Sequence, residues 1–356
     1  MRALVASPGD VAAEREGIVR AADEVNRNLA KGARVLMDRR DFLKKGTAAA
    51  AGVAATSELF SAATPERPIV RRPLGKTGEQ LSIIGFGGIV VMSVDQTSAN
   101  NIVAEAVDRG INYFDVSPDY GDAEERLGPA LQPSRNRSFL ACKTNYRDKA
   151  GAAADLDTSL KHLRTDHFDL YQHHALTKTA ELDKIFGPDG AMEAFVAAQK
   201  AGKVRYLGFS CHSVETAIAA MDRAHVDTIL FPTNFVLFSK ANFGPQVLDH
   251  ARQKGIGYLA IKAMAKGKYP AKLPEARHTA KCWYEPCALP EEATLALRWT
   301  LSRPYLTAAI PPGNSAWFRQ AMDAAQRFQP ITEQETTTLL AHASGVEPIF
   351  QLGNNV

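Results

Sequence analysis

Between Leu81 and about residue 330 the sequence repeats one pattern eight times: a short apolar run, then a longer stretch with apolar residues at helical spacing. The runs are Leu81–Gly88, Ile111–Val116, Ser138–Lys143, Phe168–His173, Val204–Ser210, Thr228–Phe231, Gly257–Ile261 and Thr307–Ile310. Between them fall helical stretches such as Thr97–Arg109, Ala152–Leu163, Val214–Ala224 and Glu291–Ser302, and a last one begins near Ser315. Strands as apolar as Ser82–Phe86 and Val204–Phe209 are covered on both faces, which calls for a parallel sheet with helical crossovers. Two architectures satisfy this, an open doubly wound sheet or a closed barrel. The glycines Gly85, Gly87 and Gly88 lack the G-x-G-x-x-G spacing that opens a dinucleotide-binding sheet, and eight units in about 260 residues suit a barrel. The expected fold is α/β, a (β/α)8 TIM barrel.

Composition excludes several partners. A net charge of +3 is too small to direct the chain to nucleic acid or to an anionic membrane surface. No run reaches the roughly 18 to 20 strongly apolar residues of a membrane span. Four cysteines in 356 residues make no disulfide framework.

Ahead of the barrel the sequence changes character twice. Residues 1–36 are charged and Ala-rich, with an amphipathic helix expected from Asp10, its N-cap, to Leu29. Residues 37–63 begin at Met37 and run Asp38-Arg39-Arg40-Asp41-Phe42-Leu43-Lys44, which resembles a bacterial twin-arginine signal. A small, weakly apolar run follows, and Ser61-Ala62-Ala63 offers a cleavage point, so the mature chain would start near Thr64 in the periplasm. Such signals sit at the extreme N-terminus, so Met37 is the expected true start. N-terminal sequencing of the precursor tests this, and a precursor starting at Met1 would refute it. Residues 64–71 read as a linker, 72–345 as the barrel and 346–356 as a tail.

A barrel keeps its chemistry at the C-terminal ends of its strands. There the sequence places Asp115 with Tyr120 just beyond it, then Lys143, His174 and Ser210. His173 alternates with His174 and should point into the structural layer.

These segments resemble the aldo-keto reductase superfamily over residues 68 to 330. The resemblance rests on Arg72-Pro-Leu-Gly-Lys-Thr-Gly78, Gly110-Ile-Asn-Tyr-Phe-Asp115 with Tyr120-Gly121, and Asp169-Leu-Tyr-Gln-His-His174. Gly202-Lys-Val-Arg-Tyr-Leu-Gly-Phe-Ser210 and Ala296-Leu-Arg-Trp-Thr-Leu301, leading into Ala309-Ile-Pro-Pro-Gly313, complete it in the same order. It implies a catalytic tetrad of Asp115, Tyr120, Lys143 and His174 and a nicotinamide cofactor, NADP(H) first and NAD(H) second. The chemistry agrees: a carbonyl that accepts hydride needs a proton, and a phenol with an ordinary pKa near 10 needs tuning to supply it. Tyr120 is the expected general acid, with Lys143 lowering its pKa, Asp115 holding Lys143 charged and His174 orienting the carbonyl oxygen.

The same resemblance implies that Ser210 meets the nicotinamide carboxamide. Ile310, Pro311, Pro312, Gly313 and Asn314, with the helix start that follows, would take the phosphates. This sequence departs from the family pattern in four places. Cys211 stands where Asn is usual, Phe231-Pro232 falls near the usual Gln, and Ala260-Ile261-Lys262 replaces a stacking aromatic. Pro312 stands for a 2′-phosphate lysine, with Arg319 one place off register. Lys262 at the rim is expected to touch cofactor or substrate. The expected activity is reduction of an aldehyde or ketone to an alcohol, or the reverse on a polar or sugar-like substrate. The alternative is a nicotinamide-binding, redox-sensing subunit with little turnover. No metal is expected: Cys282 and Cys287 lack a second pair, and a disulfide suits an exported protein better. Lys281, Trp283, Tyr284 and Glu285 are expected to wall the substrate pocket.

Overall fold

The computed structural model describes residues 67–269, 281–287 and 289–352. The Asp10–Leu29 helix, the twin-arginine segment and the first residues of the linker lie outside these.

The chain first forms a hairpin, β1 (Arg71–Pro73) antiparallel to β2 (Gln80–Ser82), with Arg71 opposite Ser82. Then come β3 (Phe86–Gly87), β4 (Tyr113–Asp115), β5 (Phe139–Thr144), β6 (Phe168–Leu176), β7 (Val204–Cys211), β8 (Thr228–Pro232) and β9 (Gly257–Ile261). A second hairpin, β10 (Ala265–Gly267) with β11 (Glu285–Pro286), precedes β12 (Leu306–Ile310). Strands β3 to β9 and β12 make one eight-stranded sheet of parallel neighbours. Its edges meet: Ile84 bridges Ala309, the Gly85 N–H donates to Ala309 O at 3.0 Å, and the Ala309 N–H donates to Ile83 O at 2.9 Å. The expected barrel is therefore the fold.

Strand alternation divides the apolar residues into two cores. Tyr113, Phe139, Ala141, Leu170, Leu230, Leu259 and Ala308 fill the interior, and Leu74 and Leu81 of the first hairpin join them. That hairpin closes the N-terminal end of the barrel, where Thr307 Oγ1 donates to Pro73 O and the Lys76 N–H to Gly255 O. The outward residues, including Phe114, Leu140, Tyr171 and Phe231, pack under the helices.

Two expected elements divide. The first run, Leu81–Gly88, is split between β2 and β3, because Ser82 turns the chain with its own bonds: its N–H donates to Asn112 Oδ1 at 2.7 Å and its Oγ to Ile84 O at 2.7 Å. The last helix ends at Gln326, and after Pro330 a separate helix Glu333–His342 starts on a capping box of Thr332 and Glu335. The hairpin β10–β11 was not expected in a stretch that shows no strand periodicity.

Placement of the key loop depends on Gly110. It follows the helix Gln96–Asp108 with φ 99°, donates its N–H to Val107 O, and passes the next N–H, of Ile111, to Ala106 O. This is a Schellman ending, and it turns the chain directly into β4. A Cβ at Gly110 would lie 2.9 Å from Ile69 N, so both the conformation and the space call for glycine.

Candidate active site

Five adjacent strands, β5 to β9, and the loop after β4 aim side chains at one cavity of about 520 Å³ at the C-terminal end of the barrel. Asp115 closes β4, and Lys143 stands on the inward face of β5 beside it. The Lys143 ammonium, 1% exposed, donates to Asp115 Oδ2 and to Val116 O at 3.2 Å. Asp115 Oδ1 accepts from Gln172 Nε2 at 3.0 Å and from the Tyr113 hydroxyl at 3.4 Å. The carboxylate is thus held by donors from three strands. Burial draws the Lys143 pKa down, but Asp115 and Tyr120 outweigh it and the net shift is upward, so the group stays charged.

Tyr120 lies over this pair, with Lys143 Nζ 5.6 Å from its ring centroid. The expected lowering of its pKa is only one part of the balance. Burial pushes the phenol up more than Lys143 draws it down, and the net shift is upward. Tyr120 therefore holds its proton at neutral pH, with a cation alongside to receive the phenolate once the proton leaves.

His174 faces Tyr120 at 6.1 Å between ring centroids. Its Nδ1 lies 3.2 Å from Asp119 Oδ2 and 3.2 Å from Ser117 Oγ. A carboxylate only accepts, so Nδ1 carries the proton, and Asp119 is itself held by Asn145 Nδ2. Burial lowers the His174 pKa while Asp119 opposes it. His173 points outward as alternation requires. It stacks on Phe195 at 4.0 Å, and burial holds it neutral with a pKa of about 3.

The other wall contains Ser210, His212, Leu230, Ile261, Lys262, Trp283, Tyr284, Ile349 and Phe350. Ser210 Oγ accepts the Ala175 N–H at 2.7 Å, which leaves its own proton for a ligand. Leu230, and not Phe231, is the inward residue of β8; Phe231 stacks on Phe243 in the outer layer. Cys211 also belongs to the outer layer, with its thiol donating to Ser213 O and its pKa pushed up to about 12 by burial. Pro311, Pro312 and Gly313 are buried outside this cavity, Gly313 directly beneath Lys281 O. Asn314 caps the helix Ser315–Gln326. Arg319 reaches Glu105 at 2.8 Å. Of the expected pocket wall, Trp283 and Tyr284 line the cavity. Lys281 instead donates to Val90 O and Met92 O, and Glu285 on β11 pairs with Gly267 of β10. All four cysteines are buried free thiols, and among the described residues no cluster could hold a metal.

Several site residues escaped the sequence. Gln172 was legible by alternation, two residues beyond inward Leu170. Asp119 and His212 carry no local signal, and Ile349 and Phe350 lie in a segment expected to be tail. A larger cleft of about 870 Å³ at the opposite end of the barrel is lined by Arg135, Asp169, Arg205 and Glu79. The charges of these four pair with one another.

A solved aldo-keto reductase from Bacillus halodurans, in its holo form, superposes with a TM-score of 0.62 at 20% identity, covering 81% of this chain and 99% of that one. The chain is 29% identical to L-galactose dehydrogenase of Arabidopsis thaliana over 230 residues, 59% of this chain and 70% of that protein. It is 28% identical to an aldo-keto reductase of Bacillus subtilis over 57% of this chain and 64% of the relative. Residues 83–342 match the aldo/keto reductase family, which takes in every barrel strand and each of Asp115, Tyr120, Lys143 and His174. The chain belongs to the aldo/keto reductase family of oxidoreductases.

Proposed function

We propose that this protein reduces an aldehyde or ketone to an alcohol with a reduced nicotinamide nucleotide, Tyr120 supplying the proton. The observation that carries the reading is the buried Lys143–Asp115 pair under a protonated Tyr120 at the floor of the cavity. When bound, the nucleotide supplies hydride to the carbonyl carbon. This chain does the rest. His174 bounds the space where the carbonyl oxygen would lie, Tyr120 passes its hydroxyl proton to that oxygen, and Lys143 stabilises the phenolate left behind. Asp115 keeps Lys143 charged and in place. In the reverse direction the same phenolate takes the alcohol proton.

The residues fit a nicotinamide nucleotide in part. Ser210 offers a free hydroxyl proton inside the cavity, and the helix beginning at Ser315 opens at the same end of the barrel. Arg319, engaged by Glu105, would have to leave that ion pair to serve a 2′-phosphate. NADP(H) and NAD(H) are therefore both to be tested, in that order. The first experiment follows nicotinamide absorbance with each nucleotide, using protein starting near Thr64, against aldehydes, ketones and sugars. Turnover supports the reductase. Tight nucleotide binding with no turnover on any substrate favours the redox-sensing subunit instead.

Export through the twin-arginine route, directed by Arg39-Arg40, is part of the same proposal, because that route carries folded proteins with their cofactors aboard. Lys substitution of both arginines is expected to hold the protein in the cytoplasm; unchanged periplasmic recovery on cell fractionation refutes the signal.

A further inference from the structure

Across the cavity mouth from the Tyr120 side stands a cation that the described protein leaves unneutralised. Lys262 follows β9 directly, and β9 is the fourth neighbour of β5 in an eight-stranded ring, so Lys262 and Lys143 rise from opposite walls. The Lys262 backbone adopts φ 64°, a left-handed conformation unusual for a residue with a side chain. Two bonds hold it there: its carbonyl accepts from the Ala265 N–H at 3.0 Å and from Asn234 Nδ2 at 3.2 Å. Its ammonium ends 3.4 Å from His212 Nε2 and lies over the Phe350 ring, 5.7 Å from the centroid, a weak cation–π contact. His212 is itself stacked on Phe350 at 5.2 Å.

The other lysines near the cavity are satisfied by the protein. Lys143 has Asp115, Lys268 has Glu347, and Lys281 has two backbone carbonyls. Among the described residues no carboxylate reaches Lys262. Burial lowers its pKa to about 8, with the Cys282 thiol the one group acting the other way. His212 is kept neutral by burial and by this same ammonium. A half-buried ammonium whose described neighbours are a neutral imidazole and an aromatic ring has no counter-ion of its own, and a ligand anion would supply one.

We propose that Lys262 and His212 form an anion subsite that receives a carboxylate or phosphate carried by the substrate at the end remote from its reacting carbonyl. The inference rests on the carbonyl-reductase reading and narrows it. The two groups work from opposite walls, so the substrate class is an aldehyde or ketone whose anion is distal, such as a uronate or a phosphorylated aldose. Lys262 is then a substrate residue, not the cofactor contact that its position first suggests.

The test uses matched pairs: glucuronate against glucose, and glyceraldehyde 3-phosphate against glyceraldehyde. The readout is the ratio of kcat/KM for the anionic over the neutral member. The wild type is expected to favour at least one anion, and the pair that shows the preference identifies carboxylate or phosphate as its source. Lys262→Met is expected to collapse that ratio by about 10- to 150-fold, the range for a hydrogen bond to a charged group. Lys262→Arg, which keeps the charge, is expected to retain most of it. A wild type without preference overturns the proposal, and so does a Met variant with an unchanged ratio but weakened nucleotide affinity. Should no carbonyl be turned over, the reductase reading fails and the subsite is judged by binding alone. Thermal stabilisation by glucuronate or glyceraldehyde 3-phosphate, absent with its neutral partner and lost in Lys262→Met, then upholds the subsite. No such stabilisation sinks it.

Discussion

Tyr120→Phe is expected to lower kcat/KM for carbonyl reduction by about 10²- to 10⁴-fold, the usual weight of positioned acid–base catalysis. The substitution keeps the ring over Lys143 and removes one oxygen, so packing changes little and nucleotide affinity should hold. The loss follows from what else could donate. Lys143 commits two of its three protons to Asp115 and Val116 O, and its raised pKa makes it a poor acid, while Ser210 lies on another strand. His174 spends its Nδ1 proton on Asp119, so its neutral form has none at Nε2 to give. Single-turnover measurement of nicotinamide oxidation checks this. A rate within tenfold of the parent would mean that His174 reacts as the imidazolium and donates from Nε2, and Tyr120 would lose its role.

Lys143→Met is expected to damage both activity and stability, by separable routes. Without the ammonium, the phenolate formed as Tyr120 gives up its proton has no cation beside it, and activity should fall by about 10²-fold or more. Asp115 is meanwhile left as a buried carboxylate with two neutral donors, Gln172 and Tyr113, a loss of about 3–5 kcal/mol when one partner of a buried pair is removed. Adding Asp115→Asn removes the stranded charge. The double variant should regain most of the stability in denaturant unfolding and none of the activity. Recovery of both would show that Lys143 serves the fold and not the chemistry.

How much of this was legible in the sequence follows from the kind of information each feature needs. The barrel was readable because the strand and helix periods differ and the alternation repeats eight times. Asp115, Lys143 and His174 were readable as strand ends. What escaped was decided by contacts between distant segments. Leu74 and Leu81 read as ordinary apolar residues, yet they seal one end of the barrel. Phe350 reads as tail, yet it stacks between Phe243 and His212 and forms a wall of the cavity. The direction of the Tyr120 shift escaped for a related reason: a neighbouring cation is visible in a motif, whereas desolvation depends on everything packed around the ring. Strand phase misled once, at β8, where a register of one residue decides whether Leu230 or Phe231 faces the ligand.

The closure between Ile84 and Ala309 has a kinetic side. It joins the first and last strands of the barrel, so the loop that must be ordered before the joint forms is nearly the whole domain. The joint is also thin, since one residue bridge with its two backbone bonds does what the long β6–β7 pairing does along six paired positions. A barrel assembled strand by strand would complete its circle only at this point. Ile310 to Asn314 follow the joint directly, so a nucleotide held there would act as a clasp across the last part of the circle to form.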